Sequence, residues 1–400
     1  MSDAILGQVA LGYSPFIDRN RAVTATRLTV FPLNPDATLD AAELLHAVGS
    51  VWPVDGARVS LNVASESLLR DLLAAEPATN LMIEIPAFMA GDPQYLDAIT
   101  ALHRRGSVLL IKGRPLKELP REVLPCFKYS IIELSDDRRL TDTAKPPAGV
   151  SRSIAHVQSG VSSVADMEAS FNRGAAAVLG WPIDDVLISA ASDGRKAGQT
   201  DLQVIVELIN RVDKQEPIEK LEGTLKRDPS LAFKLMRYIN SPAFGLSVEI
   251  SSFRHAIMML GYRRLKRWLA LLLATASKDT NLRPVMFAAV RRGMLMEELV
   301  RSGGDDEMRN EMFICGVFSL LDRMFRQPFS ELMRAIPVPE RVYQALVDGS
   351  GPYQPYIELV KAVEAESLYD FREAADKLMM SVTEINRAEL RALTAAAQLD

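Results

Sequence analysis

The chain has 400 residues, 48% of them hydrophobic and 24% charged, with a formal net charge of -5. That length points to two domains rather than one ordinary core, and the composition excludes a disordered chain. The acidic balance gives no overall pull toward nucleic acid or anionic lipid, and two cysteines without metal-type spacing, Cys126 and Cys315, exclude a disulfide framework or a cysteine zinc site.

The opening MSDAILGQVALGYSPF lacks the basic start and long apolar run of a signal peptide. The longest apolar run, WLALLLATA from Trp268 to Ala276, is about half of the ~20 residues a membrane span needs. A soluble, cytoplasmic protein without membrane attachment is therefore expected. Along the first half, apolar runs predict strands at 25–31, 58–64, 81–87, 107–113, 129–135, 151–157 and 175–181. Helical patterns such as LDAAELLHAVGSV, ESLLRDLLAAE, YLDAITALHRRG and VADMEASFNRG lie among them. Such alternation predicts a parallel sheet wrapped by helices, an α/β barrel of TIM type, over residues 1–187.

The small, polar segment SAASDGRKAGQT then marks a linker, taken as 188–200. From 201 to 400 the pattern is all helical. Asp228-Pro229 reads as an N-cap followed by proline, and a helix ending at Leu260-Gly261 uses glycine for its close. Amphipathic runs follow at about 262–276, 284–301, 307–327, 338–347, 354–378 and 382–397. No P-loop, dinucleotide fingerprint, G-x-S-x-G elbow or H-E-x-x-H occurs.

Two stretches carry a family resemblance. PFIDRNRAVTATRLTVF at 15–31 resembles the opening of proteins that join an EAL domain to an HDOD domain. DPSLAFKLMRYINSPAFGLSVEISSFRHAIMMLGYRRLKRWLALL, with the later MFICGVFSLLDRMF, resembles the HDOD core. The resemblance implies an EAL-type barrel followed by an HDOD helical domain. Active EAL domains hydrolyse cyclic di-GMP with divalent metals held by acids and an asparagine at the barrel mouth.

Carried over position by position, the E-x-L glutamate falls on Arg27, whereas Asn62 and Glu84 are retained. The paired aspartates fall on Lys112 and Gly113, the lysine and aspartate of "IIKxD" on Glu133 and Ser135. Two further glutamates fall on Ser159 and Ser162, and a glutamine on Leu179. In the second half, the His-Asp pair of HD hydrolases falls on Ser319 and Leu320.

Cations in the seats of metal ligands repel a divalent ion, so the expected catalytic, metal and cofactor sets are empty. Asn62 and Glu84 are either a residual ligand pair or polar strand ends. Lys112 is expected to stand in for the metal's charge, paired to Glu84 or Glu133. Arg27, Lys112 and Arg114 form a candidate anion site or a self-neutralised surface. The cluster Arg263, Arg264, Lys266 and Arg267 lacks interleaved aromatics and reads as a solvated face, which argues against nucleic acid. The expected function is a non-catalytic signalling adaptor that binds partner proteins in or near cyclic di-GMP pathways. The alternative is a metal-independent sensor of cyclic di-GMP or another nucleotide.

Overall fold

The computed structural model describes all residues except 1–3, 53–57, 77–79, 138–153, 184–198, 226–228, 241–249, 251, 276, 278 and 398–400. The chain divides into two compact units. One comprises Met1–Asp184 with Ala362–Phe371 and Ser381–Asn386, the other Asp185–Lys361, Arg372–Met380 and Arg387–Asp400. The expected linker lies almost wholly outside the described residues, apart from the start of the helix Gln199–Asp213.

In the first unit eight strands close a barrel in chain order: β1 (Val9–Asp18), β2 (Val23–Pro32), β3 (Arg58–Val63), β4 (Leu81–Pro86), β5 (Val108–Lys112), β6 (Phe127–Glu133), β7 (Ala155–Val161) and β8 (Ala177–Gly180). From β2 to β8 neighbours run parallel, while β1 is antiparallel to both β2 and β8. The sequence reading contained no β1. Its direction follows from the turn after it: Asp18 Oδ1 accepts from the backbone N–H of Asn20 and Ala22, closing a hairpin too short for a parallel crossover. Strand β7 also lies about four residues later than expected, because its polar residues His156, Gln158 and Ser159 interrupt the apolar run sought.

Helices Ala41–Val51, Glu66–Ala74, Pro93–Arg104 and Val164–Asn172 cover the barrel. Each starts where Asp40, Ser65, Asp92 or Ser163 caps free backbone N–H groups. Alternation along the strands sorts the interior into layers. Phe16, Ala25, Met82, Leu110, Ile131, Val157 and Leu179 form one apolar layer. Two residues further along the strands from Phe16, Ala25, Met82, Leu110, Ile131 and Val157 come Ser14, Arg27, Glu84, Lys112, Glu133 and Ser159. The barrel thus has a dry floor under a polar mouth at the C-terminal ends of its parallel strands.

The second unit is helical throughout its described residues. Helix Phe253–Thr275 is two helices broken at Gly261, whose φ of 71° and ψ of 170° suit glycine almost alone, at the place the sequence marks as a helix end. Asn240 holds the two sides of the 241–249 segment: its Oδ1 accepts from Ile250 N at 2.7 Å and its Nδ2 donates to Ile250 O at 2.8 Å. Arg291 and Glu389, both fully buried, pair in the core. Two expected long helices are split. The run 307–327 becomes Asp306–Phe318 and Leu321–Phe325, and 354–378 becomes Gln354–Glu364 and Leu368–Leu378.

Candidate functional site

The polar mouth is assembled around Arg27, whose guanidinium grips Glu84 with two parallel bonds, Nε to Oε1 at 3.0 Å and Nη2 to Oε2 at 2.8 Å. Glu84 is 1% exposed, so its charge is held by this fork and by Ser60 Oγ, which donates to Oε1 at 3.0 Å. Burial opposes the Arg27 charge, but Glu84, Glu366 and Glu133 together outweigh it and hold the pKa above its ordinary value.

Lys112 takes a different partner from the one expected. Its Nζ donates to Asn62 Oδ1 at 2.6 Å, and Asn62 Nδ2 donates to Thr29 Oγ1 at 3.0 Å. Glu84 already accepts three bonds from Arg27 and Ser60, and Glu133 turns its Oε2 to the hydroxyl of Ser159 at 2.9 Å. Burial, with Arg27 second, lowers the Lys112 pKa; Glu84 and Glu366 partly offset this.

The residue that sequence reasoning missed is Glu366. Its Oε1 accepts from Thr29 Oγ1 at 2.7 Å and Ser14 Oγ at 2.8 Å, and its Oε2 lies 3.8 Å from Arg27 Nη1. The break between Gln354–Glu364 and Leu368–Leu378 delivers it. Glu366 occupies the left-handed position after a helix end, with φ of 52°, where glycine is the usual choice. A local signal existed in Ser367-Leu-Tyr-Asp370, since Ser367 Oγ caps the next helix by accepting from Asp370 N.

Room for Glu366 comes from Gly12, where an added Cβ would sit 3.1 Å from Glu366 Cγ and 3.2 Å from its Cα. Trp181 Nε1 donates to Glu364 O at 3.2 Å, while buried Asn386 accepts from Leu11 N and donates to the carbonyls of Leu6 and Val9. Side chains and backbone from the two C-terminal segments are thus bonded into the barrel unit at β1 and the end of β8.

The remaining predicted positions divide clearly. Ser159 is buried beside Glu133, Leu179 is in the apolar layer, and Gly113 donates its N–H to Ile131 O. Ser135, Ser162 and Arg114 are exposed outside the network. Lys112 and Arg114 instead line, with Lys117, a cavity of about 740 Å³ beside the mouth, walled by Val63, Phe88 and Leu116. Glu66 and Glu118 also line it.

Tested against a divalent metal, the mouth does not fit. Both Glu84 oxygens face Arg27, and Asn62 Oδ1 faces Lys112, so the retained ligand atoms are already engaged by cations. Among the described residues no three histidine, cysteine, aspartate or glutamate side chains form a metal-ligand group.

In the helical unit, Ser319 Oγ donates to Gly316 O at 2.7 Å and accepts from Arg292 Nη1 at 3.1 Å, while Leu320 is buried. His255, half-buried, stands in the first part of the kinked helix. The basic cluster meets acids: Arg263 with Glu307, Lys266 with Asp213, and Arg267 with Glu297 while lying over the Phe313 ring. Both cysteines are buried thiols, and burial pushes Cys315 up to about 12. Among the described residues no helix is long and apolar enough to cross a membrane.

Residues 200–326 match the HDOD domain family. The chain is 30% identical over 179 residues to the uncharacterized protein YuxH of Bacillus subtilis, covering 43% of each chain. It is 26% identical over 145 residues to the cyclic di-GMP phosphodiesterase CdgJ of Vibrio cholerae, covering 36% of this chain and 34% of that one. The matches thus span less than half the length of these relatives. Among solved structures, the EAL enzyme Bd1971 in its cGMP-bound form aligns at 12% identity with a TM-score of 0.31, covering 44% of this chain and 62% of that one. Residues 200–326 thus match an HDOD domain, a closed eight-stranded barrel precedes them, and over less than half of its length the chain is similar to YuxH and CdgJ.

Proposed function

We propose that this protein is a non-catalytic signalling adaptor whose barrel mouth has been converted from a metal site into a self-neutralised ionic network. The observation that supports this reading most is the two-bond Arg27–Glu84 pair, which places a guanidinium against a carboxylate that a metal would need. Around it the charges of Arg27 and Lys112 oppose those of Glu84 and Glu366, so a divalent ion would have to displace the buried Arg27–Glu84 pair and its half-buried neighbours. The work then falls to surfaces that bind signalling proteins, in or near the cyclic di-GMP chemistry for which CdgJ is named.

The test is turnover of cyclic di-GMP by the purified chain with Mg²⁺ or Mn²⁺. No product is expected, and metal-dependent hydrolysis abolished by Glu84→Gln would overturn the proposal. A second reading, metal-independent nucleotide binding, draws support from Lys112, Arg114 and Lys117 lining one cavity of about 740 Å³. Calorimetry with cyclic di-GMP separates the two. Saturable heat that disappears in Arg114→Ala with Lys117→Ala favours the sensor, and no heat favours the adaptor.

A further inference from the structure

The position of Glu366 is costly in two ways. A non-glycine residue in the left-handed region is strained, and the carboxylate gives up water to enter the mouth. Alternatives exist that would avoid both costs, such as glycine at this turn. Instead the chain presents a glutamate and leaves β1 bare at Gly12, where a Cβ would sit 3.1–3.2 Å from Glu366 and press on it. The groups that receive it are an oxyanion-binding set: two hydroxyl donors, Ser14 and Thr29, on one oxygen and a guanidinium near the other. Thr29 accepts from Asn62, and Asn62 from Lys112, so the Thr29 hydroxyl is also held by bonds that do not involve Glu366.

We propose that the turn at 365–367 is a latch: Glu366 fills an oxyanion site made by Arg27, Ser14 and Thr29, and an external carboxylate or phosphate occupies that site only when the latch opens. This inference rests on the mouth being free of metal. It goes further in naming the internal ligand and the chemistry that competes with it. The latch is local to the barrel unit, because Ala362–Phe371 belongs to that unit. Strain at Glu366 favours release, and the three-donor site favours closure, so the balance responds to an anion offered in solution.

The full-length chain with Glu366→Ala tests this. Hydrogen–deuterium exchange in peptides covering 362–371 is expected to quicken by about tenfold relative to wild type. Acetate, at fixed ionic strength against chloride, is expected to raise the melting temperature of Glu366→Ala and leave wild type unchanged. The rise should vanish when Thr29→Val is added. Inorganic phosphate in the same assay distinguishes the two anion classes: a larger response than acetate identifies a phosphate site, and a smaller one a carboxylate site. Ser14→Ala, which keeps Glu366 and removes one donor, should quicken exchange in the same peptides by less. The latch is overturned if both Glu366→Ala and Ser14→Ala exchange like wild type over 362–371, or if neither anion stabilises Glu366→Ala more than wild type. Metal-dependent turnover by wild type would sink the adaptor reading and the latch with it, whereas absent turnover together with absent anion responses would sink the latch alone.

Discussion

The barrel mouth and the Ser319–Leu320 position in the helical unit are both places where the family resemblance implies metal chemistry, and the residues that occupy them differ in kind. At the mouth the polarity stays and the signs change: Arg27 and Lys112 stand among Glu84, Asn62 and an imported Glu366. In the helical unit the corresponding positions hold a neutral hydroxyl, bonded to Gly316 O and Arg292, and a buried leucine. A site that keeps buried charges must supply each with a partner, because an unpaired buried charge costs several kcal/mol. Ser319 and Leu320 carry no charge and add no such debt of their own. That is why the mouth requires a long-range partner such as Glu366, and the other position is completed by its own helices.

Breaking the mouth should therefore cost most. Arg27→Ala strands Glu84 and is expected to lower stability by about 3–5 kcal/mol in urea unfolding. Arg27→Met combined with Glu84→Leu should recover most of that loss, since removing both charges removes the debt. If the single variant is neutral, the contrast between the sites fails. Lys112→Met should cost about 1 kcal/mol, because Asn62 Oδ1 loses its donor while one buried charge disappears.

The pH dependence of that variant sharpens the comparison. Lys112 binds its proton less tightly in the folded state than at its ordinary value of 10.5, so the wild type gains stability as pH rises through the lowered pKa toward 10.5. Lys112→Met should lose that alkaline gain. Ser319→Ala, in the neutral site, should cost about 1 kcal/mol or less at any pH where the protein is folded.

The smallest effect is expected at Asp322, whose buried Oδ1 has no hydrogen-bond partner among the described residues. Burial raises its pKa above the ordinary 3.8, against the pull of a backbone bond and of Arg323, Arg292 and Lys361. The folded state then favours the proton, so the ionised group weakens stability above the raised pKa and not below 3.8. Asp322→Asn should melt slightly higher than wild type at pH 7, with the advantage fading as pH falls toward 3.8. An advantage that grows in acid would contradict the assignment.

Much of this architecture was legible in the residues. Apolar runs located seven of the eight strands, with β7 displaced, because buried strands in a barrel need continuous or alternating apolar side chains. Gly261 marked a helix break, while the Arg27, Glu84, Asn62 and Lys112 set at the mouth came from the family resemblance. These features are local in sequence or tied to the period of a single strand. β1 escaped because glycine, serine and proline dilute its apolar pattern, and the hairpin that reverses it is fixed by Asp18 bonding its own turn.

Short-range pattern and residue type were enough for the barrel and the helical second half, and the family resemblance added the cations at the mouth. Only the tertiary structure decided the pairing: Arg27 with Glu84, Lys112 with Asn62, and Glu366 with Ser14 and Thr29 across more than 330 residues of chain. A carboxylate's partner is chosen by which donors the closed fold leaves within reach and out of water, and no periodicity along the chain records that.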